Sequence, residues 1–136
     1  MVYATREAFI NQHGLDAVLV VADRDQDGQP DDQVIDLALA DASAEIDAYV
    51  GQRHRLPLSQ VPTVLVRVCG DVAMYLLSRD GTSLTEDKRK RYEDAKSLLR
   101  LIASGDVSLG LPTPPEEESS GLAFFESQPK RFGDLL

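Results

Sequence analysis

A chain of 136 residues with 23 acidic and 14 basic side chains carries a formal net charge of −9, which opposes nucleic-acid affinity because that depends on cations displacing counterions from phosphates. Only 6% of residues are aromatic and none is Trp, which argues against a base-stacking platform, and the single cysteine, Cys69, excludes an intrachain disulfide. No basic start with an apolar run marks a signal peptide, and the most apolar stretch, Val64–Leu77, is too short for a bilayer and contains Arg67 and Asp71, so the sequence predicts one soluble domain made in a cytoplasm.

Thr5 ahead of Arg6–Ile10, with Gly14 beyond, reads as an N-cap, a short helix and a C′ glycine. Leu15–Val21 is an apolar run, broken only by Asp16, that fits a short helix or a buried strand, and periodicity does not separate the two. The acidic loop DRDQDGQPDD follows and opens a second helix, where Asp31 or Asp32 can cap and suits the positive helix end. Ile35, Leu39, Ala42, Ile46, Tyr49 and Val50 keep a helical spacing along it, and Gly51 ends it. A loop with two prolines, RHRLPLSQVP, leads to a third helix starting just past Pro62. Eleven of the fourteen residues from Val64 to Leu77 are apolar, so this helix is either central to the fold or buried against a neighbouring subunit. The run TVLVRV also has strand propensity. Ser83 with Glu86 fits a capping box, Thr85 competes as the cap, and the fourth helix carries Tyr92, Ala95, Leu99 and Ile102 on one stripe up to Gly105.

Beyond Leu111 the composition changes. PTPPEEESSGLAFFESQ joins prolines, a glutamate run and serines, a composition that cannot form its own core. Yet Phe124, Phe125, Phe132, Leu135 and Leu136 are too apolar for an inert tail, and they predict contact with a partner surface. The fold expected is mainly α: a helical domain over 1–111 with about four main helices, then an extended C-terminal arm over 112–136.

The sharpest chemical signal is Asp23-x-Asp25-x-Asp27-Gly28, the first half of an EF-hand calcium loop, in which alternate carboxylates converge on one ion. Asp31 falls at the ninth position, but the twelfth, which should hold a bidentate Glu, is Val34; Asp32 substitutes only in another geometry. Asp23, Asp25, Asp27 and Asp31 are thus a candidate Ca²⁺ site. The competing reading is an Asp-rich turn that caps a helix through its own backbone. Lys88-Arg89-Lys90-Arg91 resembles a nucleic-acid patch in isolation, but Glu86, Asp87, Glu93 and Asp94 flank it at pairing distance on a helix. His13 and His54 lie far apart without partner cysteines, Cys69 reads as a core residue, and no phosphate loop or nucleophile elbow is present; no enzyme is expected.

Several motifs in order carry a family resemblance over roughly residues 1–110. These are the start MVYAT, the DRDQDG loop before ALADASAEIDAYVGQRHRLPL, a Val-Pro with an apolar helix, and Thr85-Glu86 leading into RKRYEDAKSLLRLIASGDVSL. Together they resemble a Mu-like prophage family of phage morphogenesis proteins, similar to the head–tail connector (adaptor) proteins of long-tailed bacteriophages. The resemblance implies a structural virion protein of the neck that assembles as a homo-oligomeric, dodecameric ring under the portal protein. It would meet tail-side neck proteins on the other side, and DNA would pass through the lumen without specific binding. Such a protein is found at the head–tail junction, and in the host cytoplasm during assembly. The Pro/Glu-rich tail departs from the family pattern, and only its end, KRFGDLL, resembles a short hydrophobic C-terminal hook. A closing ring needs a head-to-tail interface, for which the apolar helix and the apolar-tipped arm are candidates. In that setting the basic cluster Arg53, His54 and Arg55 is a candidate contact for an acidic patch on a neighbour or the portal, against the alternative of a solvated loop meeting its own domain's carboxylates. Rival readings are a tail-completion protein, an assembly chaperone, or a calcium-dependent binding module.

Overall fold

The computed structural model describes residues 1–79 and 82–111. The predicted arm over 112–136 lies outside them. Five helices make up the described fold: α1 (Arg6–His13), α2 (Leu15–Ala22), α3 (Asp32–Val50), α4 (Thr63–Ser78) and α5 (Glu86–Ser104). The apolar run after Gly14 is a helix, so the strand alternative falls away. Its buried residues are Val18, Val21 and Ala22, a one-sided pattern that suits a short helix laid on α1 and α4. No helix among the described residues is long and apolar enough to cross a membrane.

Local chemistry sets the ends of these helices. The Thr5 hydroxyl accepts from Ala8 N–H at 3.0 Å, and Thr85 accepts from Lys88 N–H at 3.2 Å; each satisfies a donor that a helix start leaves orphaned. Thr85, not Ser83, is therefore the cap of α5. Asp31 stands at the N-cap of α3 but makes no capping bond, because its carboxylate is turned back into the acidic loop. Gly105 closes α5 in the left-handed region at φ 88°, and the Arg53 guanidinium occupies the space a Cβ would need there.

Packing then fixes the arrangement. Ile35, Leu39, Ala42, Ile46 and Val50 are buried along one stripe of α3, which faces α4 and α5. On α4, Leu65, Val68, Cys69, Val72, Ala73, Met74 and Leu77 are buried, and the helix touches all four others. Its near-uniform apolarity thus reflects a central place within the fold. Ala95, Leu99 and Ile102 close the core from α5. The N-terminal segment is tied down by polar bonds: Tyr3 N–H donates to the buried Ser43 hydroxyl at 3.1 Å, and Tyr3 OH donates to Asp47 at 2.6 Å. Burial of the phenol, beside the Asp47 carboxylate, pushes the Tyr3 pKa well up.

Candidate functional site

The acidic loop between α2 and α3 is closed by its own side chains. Asp23 accepts from the N–H groups of Asp27 (3.1 Å) and Gly28 (3.0 Å), Asp27 accepts from Gln29 N–H (2.9 Å), and Asp31 accepts from Arg24 N–H (2.7 Å). A main-chain bond from Asp31 N–H to Ala22 O at 2.6 Å staples the two ends together. Gln26 and Gly28 take positive φ values of 59° and 80°, the tight turns that let the carboxylates curl inward.

As a result the carboxylates of Asp23, Asp25, Asp27 and Asp31 each place an oxygen within 4.8 Å of the others. Burial works against ionisation of both Asp23 and Asp25. At Asp23 it is outweighed by the Gly28 and Asp27 N–H groups and by the carboxyls of Asp25 and Asp27, and the pKa falls. At Asp25 burial is reinforced by Asp23, Asp27 and Asp31, and the pKa rises. The four groups predicted from spacing are thus brought together as oxygen donors of the kind hard cations take. The rest of an EF-hand is missing: Val34 packs against the core, and Asp32, the substitute ligand considered from sequence, is held by Arg6 at 2.6 Å.

The basic loop after α3 does not present its three residues alike. The Arg53 guanidinium donates to Ser104 O at 3.3 Å, binding the end of α5 to the end of α3. His54 is only 8% exposed, and among the described residues its Nδ1 finds no hydrogen-bond partner. Arg55 remains exposed. Arg53 and Arg55 are thus both exposed, Arg53 being also bonded to the end of α5, and His54 between them is buried. The arm residues Phe124, Phe125, Phe132, Leu135 and Leu136 lie outside the described residues.

The run 88–91 is solvated and salt-bridged, as its flanking acids indicated. Arg89 pairs with Glu86 and with Glu93 (2.6 Å), Arg91 with Asp87 (3.1 Å), and Lys88 Nζ donates to Ser83 O (2.9 Å) and to Ser78 Oγ (3.2 Å).

Two clusters had no counterpart in the sequence reading. Between α1 and α4, His13 Nε2 stands 3.0 Å from Gly70 O, while the Gln12 amide donates to Arg67 O and to Asp71. Burial pushes the His13 pKa down and the Asp71 pKa up. One turn further along α4, Tyr75 and Tyr92 stack with ring centres 3.9 Å apart, and Tyr92 OH donates to Glu45 at 3.0 Å. Burial, with Glu45 nearby, raises the Tyr92 pKa to about 12. Both clusters join residues more than ten positions apart, so no local motif announces them. Several large apolar side chains also face solvent on this small body, among them Val20 (68% exposed), Leu37 (65%), Leu15 and Leu101.

Residues 3–127 match the protein family described as Bacteriophage Mu, Gp36. The chain is 38% identical over 128 residues to Mu-like prophage FluMu protein gp36 of Haemophilus influenzae, covering 93% of this chain and 89% of that relative. It is 39% identical over 108 residues to Gene product J of Escherichia phage Mu, covering 78% of this chain and 75% of the relative. With nearly its whole length matched, the chain belongs to the bacteriophage Mu Gp36 family.

Proposed function

We propose that this phage-family protein is a non-enzymatic structural part of the virion neck. In this reading it is a head–tail connector that forms a ring beneath the portal and links it to tail-side components. The observation that carries the reading is a closed core that still leaves Leu15, Val20, Leu37 and Leu101 exposed. Large apolar side chains left exposed on a small, already folded body are available to subunit interfaces. The acidic balance fits the same role, since carboxylates along a lumen would keep DNA from adhering as it passes. Ring closure would then use two different faces of each subunit, and Arg55 remains available for an acidic neighbour.

Stoichiometry in purified virions tests the reading. A fixed ratio to the portal protein, in multiples set by neck symmetry, is expected. Abundance in infected cells with none in the particle would favour the assembly-chaperone alternative.

A further inference from the structure

A concave apolar surface is left open among the described residues. A groove of about 570 Å³ runs beside the N-terminal segment, α1, the first half of α3 and the start of α4. Val2, Ala8, Leu39, Val61 and Val66 line it, with Arg6 and Asp36 at its polar margin. Val2 is 59% exposed although it belongs to this apolar lining. A groove of this size suits a few large apolar side chains.

We propose that this groove is the docking site for Leu122–Phe125 of this chain's own C-terminal arm. Length and point of departure carry the assignment. Arg53 holds the end of α5 beside the end of α3. The groove starts near Leu39, eleven residues back along α3, or roughly 17 Å at the helical rise. From Ser104, at the end of α5, to Leu122 the chain has eighteen residues, which span at most about 65 Å. The segment therefore reaches the groove with slack, and the tether supplies a high effective concentration. It brings two adjacent rings and a leucine, the densest apolar cluster beyond residue 111. The cluster at Phe132, Leu135 and Leu136 has a tether about ten residues longer, so it competes less well and remains free for a partner. The inference does not depend on ring formation.

Methyl spectra of the full chain, with Val2, Val61 and Val66 resolved, test it. Phenylalanine rings in the groove shift those methyls upfield, and Phe124→Ser/Phe125→Ser should abolish the shifts while Phe132→Ser leaves them. Because these changes lie beyond the core residues, the melting temperature serves as a folding control. A second variant, Val61→Glu, should collapse the dispersed ¹⁹F signals of fluorophenylalanine at 124 and 125 without altering that at Phe9. Shifts that persist on dilution place the chain's own arm in the groove, as the tether requires, whereas shifts that fade would place a second copy's arm there and overturn the assignment. Methyl resonances identical in wild type and the double variant would overturn the proposal, as would shifts removed by Phe132→Ser alone.

Discussion

The acidic loop and α4 are built by opposite means. The loop takes its shape from carboxylates bonded to main-chain N–H groups within a few residues, so its geometry is local and written in residue identity. α4 is positioned by buried side chains meeting every other helix, so its place is a property of the whole fold. Damage should follow the same division: lost volume disturbs the core, and lost charge disturbs the loop.

The largest effect is expected in the core. Ile46→Ala, at a fully buried site on α3, should lower unfolding free energy by about 2–5 kcal/mol in urea melts. Gly105→Ala comes next, at about 1–2 kcal/mol, because an L side chain is strained at φ 88° and collides with Arg53. Asp23→Ala should lower the urea midpoint by less than Gly105→Ala does, by releasing two loop N–H groups. Repeating the wild-type melt with calcium sharpens the comparison. A loop already closed by its own hydrogen bonds should change by less than about 1 kcal/mol, whereas a shift of several kcal/mol would show that the folded chain binds the ion. The smallest effect is Arg89→Ala on the exposed face of α5, which should leave the urea midpoint within error of the wild type despite its two carboxylate partners.

A pH series probes the α1–α4 junction. Burial lowers the His13 pKa, against the pull of Gly70 O and Asp71, with Arg91 and Lys88 adding to the fall. The unfolded chain then binds a proton that the folded chain refuses just below the ordinary histidine value of about 6.5. The contribution is fully present above that pH and is lost as pH falls through the window beneath it. His13→Gln should flatten this part of the stability profile. Asp71 acts with the opposite sign at lower pH: its raised pKa is a penalty that acidification relieves.

Much of this was legible in the sequence. The stripe Ile35–Leu39–Ala42–Ile46–Val50, the cap at Thr5 and the stops at Gly51 and Gly105 follow from spacing and from single residue types. The convergence of Asp23, Asp25, Asp27 and Asp31 followed from alternation in a turn. Leu15–Val21 stayed ambiguous because a seven-residue, largely apolar run satisfies either period until its neighbours are known. His54 read as a loop cation, but the turn after α3 directs it inward while Arg53 reaches across to Ser104. The apolar groove was invisible for a related reason: its lining comes from three separate stretches of the chain.

The connector role is tested most directly by electron microscopy of the neck in intact virions, or of this protein mixed with its portal. The account predicts a closed ring of this five-helix domain beneath the portal, with Leu15, Val20, Leu37 or Leu101 covered at subunit or partner contacts. A mature neck without the domain would contradict it.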